Sequence, residues 1–303
     1  MDQLEQLTAA LRRDCPAVEL REWEPMARHT TFRIGGPVRL MALPKTAEEA
    51  EQVLRLAAER EIQPFFLGNG SNLLVADEGY HGFALKLAGE LDRIHMREGR
   101  LSAGGAVLLS RLAGVALSRG LSGLEFAHGI PGSLGGAVTM NAGAYGGEMV
   151  QVVASVTCLS RRGEVETVPA ERCAFSYRHS AFSDGGRLIL KVEFCLRPGD
   201  PEEIRAKMED YAQRRREKQP LEYPSAGSMF KRPKGHYAAA LIEQCGLKGL
   251  TVGGAQVSEK HAGFVINRGG ATCGDVLSLV EQVRERVLAQ TGVELEMEVR
   301  VLR

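Results

Sequence analysis

Glycine density is the feature that most constrains this chain. Nine of its 35 glycines fall between Gly120 and Gly147, in a stretch that also carries apolar core residues. Glycine loses more conformational freedom on folding than any other residue, so this density is costly unless the backbone must approach another group closely. Pro131 stiffens the middle of the stretch. The segment therefore predicts a ligand-holding loop, and its lack of periodicity excludes a collagen-like chain.

A second glycine loop occurs earlier, at Gly68-Asn69-Gly70-Ser71-Asn72, directly after a predicted strand at 65–67. Successive unobstructed N–H groups in such a loop can wrap a phosphate, although a simple tight turn is the alternative. The loop runs into the strand-like Leu73-Leu74-Val75, whereas a Rossmann site needs a helix N-terminus there, so that fold is excluded. Two separate glycine segments favour an extended ligand such as a dinucleotide with a pyrophosphate bridge.

Composition excludes several classes of protein. Thirty-eight basic and 38 acidic residues cancel, which argues against a nucleic-acid or anionic-membrane partner. Residues 1–6 lack the basic start of a signal peptide, and no apolar run reaches the length of a membrane span, so a cytoplasmic protein is predicted. The six cysteines form no CxxC pair and predict reduced core thiols. Neither GxxxxGK[ST] nor HExxH occurs, so no P-loop and no metal site are predicted.

The length of 303 residues predicts two domains, and Pro198-Gly199-Asp200-Pro201 is the best linker candidate. We therefore expect one domain of two α/β lobes over 1–199 and a smaller α+β domain over 200–303. Apolar periodicity and capping signals place the elements. Helices are predicted before Pro16, after a capping box at 46–49, and over 107–119, 202–218, 237–245 and about 276–291. Strands are predicted at 38–42, 65–67, 152–159, 188–196, 264–267 and 293–301.

Seven segments, in order along nearly the whole chain, carry a family resemblance. Together they resemble the UDP-N-acetylenolpyruvoylglucosamine reductase (UDP-N-acetylmuramate dehydrogenase) family, in the subgroup that lacks an extra tyrosine-bearing substrate loop. The segments are His29–Gly36, Leu67–Asp77, Glu125–Gly147, Phe175–Ser180, Ala226–Lys231, Gly253–Ala255 and Leu295–Arg300.

The resemblance implies a vanillyl-alcohol-oxidase/PCMH-like FAD-binding domain over 1–199 and a substrate-binding domain over 200–303. FAD is expected to be held non-covalently. Some relatives with this fold attach flavin through histidine, and here His29 and His128 are the only plausible positions for such a link. The expected cofactor-binding residues are Gly68, Asn69, Gly70, Ser71, Asn72, His128, Gly129, Gly132, Ser133, Gly135, Gly136, Asn141 and Gly143.

The implied reaction is the NADPH-dependent reduction of UDP-N-acetylglucosamine enolpyruvate to UDP-N-acetylmuramate. This step supplies peptidoglycan synthesis, and with it cell wall biogenesis, cell shape and cell division. Hydride addition to the alkene drives charge onto the substrate carboxylate, which Arg178 can grip with two hydrogen bonds. The family motif makes Ser228 the proton donor and Glu298 the catalytic glutamate. Without the family, Ser228 reads as a turn serine, and the alternation of Glu294, Glu296 and Glu298 as a solvated strand face.

The resemblance also implies a substrate site for the UDP-sugar enolpyruvyl ether. Its expected residues are Arg215, Lys218, Arg232 and His261. A solvated helix end is the alternative for the basic run 214–218. Arg232 stands where some members carry asparagine, and the position of His261 varies within the family. We expect a monomer.

Two other functions remain open from the sequence. One is a different flavoenzyme of the same fold, such as an alcohol or sugar oxidase, and the other is a non-catalytic nucleotide-binding protein. Both leave the joint match of Arg178, Ser228 and Glu298 unexplained.

Overall fold

The computed structural model describes residues 2–303, so Met1 lies outside the described residues. The chain divides into two compact units. Unit 1 consists of Met1–Glu22, Leu40–Asn69 and Gly82–Gln213, and unit 2 of Trp23–Arg39, Gly70–His81 and Arg214–Arg303. Two early segments therefore belong with the C-terminal third, which a single sequence boundary does not describe. The functional division at residue 199 stays a prediction.

The six predicted helices are present with ends shifted by up to three residues, whereas a short further helix at Leu134–Thr139 was not predicted. Asp200 accepts a hydrogen bond from the N–H of Glu202 (2.9 Å), and the last long helix ends at Gly292 in the left-handed conformation (φ 70°). At the predicted capping box, Thr46 does accept from Glu49 N–H, but the Glu49 carboxylate accepts from Lys45 N–H instead. The α-helices are α1 Gln3–Asp14, α2 Ala47–Ala58, α3 Leu109–Ser118, α4 Leu134–Thr139, α5 Pro201–Lys218, α6 Ala238–Gln244 and α7 Cys273–Thr291.

Most of the strands are short. They are β1 Glu19–Pro25, β2 Pro37–Leu43, β3 Phe65–Phe66, β4 Leu73–Val75, β5 Tyr80–Leu85, β6 Ile94–Arg97, β7 Arg100–Gly104, β8 Leu121–Ser122, β9 Gly143–Ala144, β10 Gly147–Glu148, β11 Val153–Ser160, β12 Val165–Pro169, β13 Arg187–Phe194, β14 Arg197–Pro198, β15 Ser225–Ser228, β16 Thr251–Val252, β17 Ala255–Val257, β18 Phe264–Asn267 and β19 Arg300–Leu302. A four-stranded sheet has the order β1-β2-β5-β3.

Unit 1 contains a five-stranded sheet in the order β12-β11-β13-β7-β6, whose neighbouring strands are all antiparallel. It has two hydrophobic clusters. One surrounds Leu112 and Val156, and the other surrounds Leu54 and Phe83. Unit 1 therefore has two separate hydrophobic cores, and its division into two lobes stays a prediction.

Unit 2 is built on the antiparallel sheet β15-β18-β17-β16 and on α7. Its core takes in Phe32 and Leu74 from the two early segments as well as Val276 and Val283 of α7. β4 pairs in parallel with β19. The prediction of a strand over 293–301 is wrong in extent, because only Arg300–Leu302 is strand and the residues before it make only an isolated bridge from Met297 to Phe230.

Candidate active site

Ser228 ends β15, the edge strand of the unit 2 sheet. It lies opposite Phe264 of β18, and the register shifts between Ser225 and Ser228. Gly227 before it has φ 78°, a conformation that a side chain disfavours, so glycine is required for this irregular strand end. Beyond Ser228, the N–H of Met229 donates to the carbonyl of Gly263 (2.8 Å). The backbone on both sides of Ser228 is therefore fixed.

Glu298 lies beside the Ser228 segment. Its N–H donates to the carbonyl of Met229 (2.9 Å), and the N–H of Lys231 donates to the carbonyl of Glu296 (2.8 Å). These bonds join two stretches of chain about seventy residues apart. The structure therefore brings the predicted proton donor and the predicted catalytic glutamate into adjacent backbone segments of unit 2.

The three candidate glutamates differ in their surroundings. Glu294 faces Arg284 (3.4 Å) with a side chain 76% exposed, and Glu296 pairs with Lys231 with a side chain 73% exposed. Glu298 is half-buried. Burial thus separates Glu298 from the two solvated surface pairs, a distinction that the alternating pattern alone did not make.

Arg178 lies in unit 1, at a tight turn closed by backbone hydrogen bonds in both directions between Ser176 and His179. Its φ of 55° is unusual for a long side chain, and such strain concentrates at functional sites. The guanidinium carbon stands 5.3 Å from the ring centroid of Tyr177, and the side chain is half-buried. The two hydrogen bonds of the turn therefore fix the backbone that carries the Arg178 guanidinium.

Asn141, predicted to bind the cofactor, is buried and fully used by the fold of unit 1. Its amide nitrogen donates to Glu148 (2.9 Å) and to the carbonyl of Ser176 (3.1 Å), and its oxygen accepts from the N–H of Val150 (3.0 Å). The bond to Ser176 reaches the turn that carries Arg178. Gly143 is likewise needed locally, since a Cβ there would meet the carbonyl of Gly147 at 2.7 Å in the β9–β10 hairpin.

The glycine loop Gly68–Asn72 makes separate contacts within each unit. In unit 1, a Cβ on Gly68 would lie 2.5 Å from Ser133 Oγ, and the Asn69 amide donates to the carbonyl of Pro131 (2.6 Å). In unit 2, Gly70 has φ 61° and a Cβ there would meet the carbonyl of His29 at 2.1 Å. These glycines are thus required by close backbone packing.

Asn72 at the end of this loop does not point its amide at open space. Its Nδ2 donates to the carbonyl of Glu298 (3.1 Å), and its own carbonyl accepts from the N–H of Arg300 (3.1 Å). Ser71, its neighbour, is half-buried.

Two buried polar atoms in unit 1 lack a hydrogen-bond partner, Ser133 Oγ and His128 Nδ1. A buried group without a partner costs free energy, so an unmet hydroxyl and ring nitrogen point to a polar ligand. Beside them Gly129 and Gly136 are exposed. The carbonyl of Gly132 accepts a hydrogen bond from the N–H of Leu109 (3.0 Å), and the N–H of Gly135 donates to the carbonyl of Gly105 (2.8 Å). The residues fit a phosphate- or flavin-bearing cofactor.

The four predicted substrate residues all lie in unit 2. Arg215 and Lys218 are in the last turn of α5, where basic side chains also favour the helix dipole. Arg232 stacks over the ring of Tyr237, with its guanidinium carbon 4.0 Å from the centroid, and its Nε donates to the carbonyl of His236.

His261 is the substrate candidate closest to Ser228 in the sheet register. Its ring packs edge-on to Phe264, the residue opposite Ser228 (centroids 5.0 Å apart), and its Nδ1 accepts from the N–H of Gly263 (3.2 Å). Burial lowers the pKa of His261 below its ordinary value, so the neutral ring is favoured. A ring that accepts at Nδ1 carries its proton at Nε2, which is then a donor.

Sequence reasoning missed two features. Tyr145, at φ 54° in the β9–β10 turn, stacks on Tyr211 of α5 with centroids 4.5 Å apart, and only the glycines around Tyr145 hinted at its unusual backbone. Asp77 accepts from the N–H groups of Cys273 (2.7 Å) and Gly274 (3.0 Å) at the start of α7, a contact without any local sequence signal.

Over residues 2–303 no cluster of three or more His, Cys, Asp or Glu side chains is placed to hold a metal ion. Within the same residues no helix has both the length and the apolar character that crossing a membrane requires.

Comparison with known proteins identifies the family. A family model for the C-terminal domain of UDP-N-acetylenolpyruvoylglucosamine reductase matches residues 219–302, and one for an FAD binding domain matches residues 38–169. The chain is 46% identical over 287 residues to the UDP-N-acetylenolpyruvoylglucosamine reductase of Syntrophomonas wolfei (95% of this chain, 96% of the relative) and 44% identical over 302 residues to that of Clostridium kluyveri (100% and 99%).

A crystal structure of the Thermus caldophilus enzyme, titled UDP-N-acetylenolpyruvylglucosamine reductase, superposes with a TM-score of 0.82 at 36% identity, covering 94% of this chain and 99% of that one. The predicted fold class, a vanillyl-alcohol-oxidase/PCMH-like FAD-binding domain with a smaller C-terminal domain, is confirmed by these matches. The chain belongs to the UDP-N-acetylenolpyruvoylglucosamine reductase family.

Proposed function

We propose that this chain reduces UDP-N-acetylglucosamine enolpyruvate to UDP-N-acetylmuramate with NADPH and non-covalent FAD, as a cytoplasmic monomer that supplies peptidoglycan synthesis. The observation that carries the proposal is the backbone bond from Glu298 N–H to the carbonyl of Met229 (2.9 Å). It puts the family's glutamate directly beside the segment that carries Ser228.

Charge stabilisation falls to Arg178 and Glu298. Bound FAD would supply the hydride chemistry of the reaction, with NADPH as the source of the electrons. As negative charge develops on the substrate carboxylate, a guanidinium held at one angle by its turn can grip both oxygens without reorganising. A protonated Glu298 can add a hydrogen bond to the same carboxylate.

Ser228 is proposed to deliver the proton to the second carbon. The hydroxyl gives up its proton and regains one from solvent or a relay, so the protein is unchanged after each cycle. A serine hydroxyl is a poor acid in water, so the half-buried surroundings of Ser228 and the polarised substrate have to assist the transfer.

The proposed substrate residues divide by chemistry. Arg215 and Lys218 supply positive charge for the diphosphate, Arg232 presents a guanidinium already held against an aromatic ring, and His261 supplies a neutral Nε2–H donor. The proposed cofactor residues are the exposed glycines and unpartnered polar atoms around Ser133 and the glycine loop. We keep 1–199 as the proposed FAD-binding part and 200–303 as the substrate-binding part.

The test separates the two half-reactions. In Ser228→Ala, NADPH still reduces the bound flavin, whereas reoxidation by the enolpyruvyl sugar nucleotide slows by orders of magnitude in stopped-flow absorbance. Ser225→Ala, at the other end of β15, is the matched control, since the bond from Thr31 Oγ1 goes to the backbone carbonyl of Ser225 (2.7 Å), which the substitution keeps. Unchanged reoxidation in Ser228→Ala removes Ser228 from the mechanism. Purified protein that stays colourless with added FAD removes the flavoenzyme proposal altogether.

A further inference from the structure

In the predicted phosphate-binding loop Gly68–Asn72, Asn72 is the residue whose side-chain amide bonds to the backbone of Glu298. Its Nδ2 donates to the carbonyl of Glu298 at 3.1 Å, and both residues are half-buried. The carbonyl of Asn72 accepts from the N–H of Arg300 at 3.1 Å. The side chain and the backbone of Asn72 therefore hold the chain on either side of Val299, the residue that follows Glu298.

Both polar backbone groups of Glu298 are hydrogen-bonded, although the residue precedes the regular strand. Regular strand begins only at Arg300, where β19 starts beside Leu73 of β4. At Glu298 the N–H is held by the carbonyl of Met229 (2.9 Å) and the C=O by Asn72. With both backbone groups of the residue bonded, the Cα–Cβ direction of Glu298 is set relative to Ser228 on one side and to β4 on the other.

We propose that Asn72 is a positioning residue for Glu298. It acts in the protonation half of the reaction through the Glu298 backbone, and its amide is not a cofactor ligand. The inference rests on the proposed role of Glu298. Removing the donor frees the Glu298 carbonyl and lets the Glu298 backbone, and with it the side chain, shift relative to the Ser228 segment. Misplacement of a catalytic group by about 1 Å costs on the order of a hundredfold in rate, so a loss of about 10- to 100-fold is expected.

The variant that isolates this bond is Asn72→Asp, which keeps the shape of the side chain but removes the amide donor. Asn72→Ala removes the donor without adding charge, and serves if the aspartate variant folds poorly. The matched control is Asn69→Asp, the same change in the same loop, where the amide bonds to the carbonyl of Pro131 and has no link to Glu298. All are prepared as FAD-loaded holoenzymes.

Three measurements are made on each: the FAD dissociation constant, the rate of flavin reduction by NADPH, and the rate of reoxidation by substrate. For both Asn72 variants we expect the first two to stay within about twofold of wild type and the third to fall about 10- to 100-fold. A double-mutant cycle combines each Asn72 change with Glu298→Gln. The double variant should reoxidise no more slowly than Glu298→Gln alone, because the two changes remove the same function. The Asn69→Asp control should show no such coupling.

The outcomes distinguish the inference from the function it rests on. If Glu298→Gln reoxidises at the wild-type rate, the proposed role of Glu298 fails, and the role of Asn72 fails with it. If Glu298→Gln is slow but the Asn72 variants are normal, or if their losses are independent and additive, only the positioning role is overturned. Weaker FAD binding and slower flavin reduction in the Asn72 variants would make Asn72 a cofactor residue and overturn it as well.

Discussion

Asn267 offers the sharpest test of how the early segments are held in unit 2. The residue is buried at the end of β18. Its Nδ2 donates to the carbonyl of Phe32 (3.2 Å), and its Oδ1 accepts from the N–H groups of Gly269 (2.9 Å) and Ala271 (3.2 Å). Thr31, next to Phe32, in turn donates to the carbonyl of Ser225 at the start of the strand that ends in Ser228.

The magnitude follows from which partners water can reach. In Asn267→Ala the buried Phe32 carbonyl and Ala271 N–H lose their partner, whereas the exposed Gly269 N–H can turn to solvent. An unsatisfied buried group costs about 1–3 kcal/mol, so two cost about 2–6 kcal/mol. Asn267→Asp keeps both acceptor bonds but loses the donor to Phe32 and puts a carboxyl group beside that buried carbonyl, which predicts a cost of at least about 1–3 kcal/mol.

The assay is urea unfolding of the FAD-loaded protein followed by tryptophan fluorescence. The chain has a single tryptophan, Trp23, and it lies in unit 2, so the signal reports on that unit. The control is Arg268→Ala at the next position, whose exposed guanidinium bonds to the Tyr223 hydroxyl (2.7 Å) and is expected to be worth less than about 1 kcal/mol. Equal midpoints for Asn267→Ala and Arg268→Ala would refute the reasoning.

Four further results are expected. Ser133→Ala should weaken FAD binding by about 3- to 10-fold in a fluorescence titration, since the unpartnered hydroxyl is available to the cofactor; unchanged affinity excludes that contact. Asp77→Ala should lower the free energy of unfolding, measured by urea titration, by about 1–2 kcal/mol, because two N–H groups at the start of α7 lose a carboxylate, while the exposed neighbour Glu78→Ala should not. Burial lowers the pKa of His261 from 6.5, so its contribution is present above pH 6.5 and lost as pH falls; His261→Gln should flatten the fall in midpoint from about pH 7.5 to about pH 5.5. Of six free thiols, only that of Cys195 is exposed among the described residues, so a thiol reagent should titrate one rapidly in the native protein and six after denaturation.

Local signals in the sequence predicted the local structure well. The end of α7 shows why, because Gly292 ends the helix in a left-handed conformation that glycine favours; the start at Cys273, with its Thr272–Asp275 capping box, was not predicted. Each signal concerns residues three or four positions apart. The same reasoning predicted the α5 start at Asp200 and the boundaries of β18 to the residue.

The candidate site was predicted only as far as its motifs are local. Ser228 and Glu298 are about seventy residues apart, and the backbone bond between their segments depends on tertiary packing that no periodicity encodes. The asparagines show the same limit, because both Asn72 and Asn141 sit in glycine-rich segments typical of ligand loops, yet their amides bond to protein carbonyls. An amide that can serve a phosphate can equally serve a peptide, and sequence does not state which partner comes nearer.

The two asparagines reveal a shared principle in how the candidate catalytic groups are mounted. Arg178 stands on a strained turn and Glu298 on irregular backbone before a three-residue strand, so neither is fixed by regular secondary structure. In each case an asparagine from a glycine-rich segment donates to a nearby backbone carbonyl, Asn141 to Ser176 beside the turn and Asn72 to Glu298 itself. A side-chain amide can bond to backbone groups that are not paired in a β-sheet. Because the amide is uncharged, it does not compete with the substrate carboxylate. The glycine segments thus do more than leave room for a ligand: they bring these two amides within hydrogen-bond distance of the backbone at or beside the candidate catalytic residues.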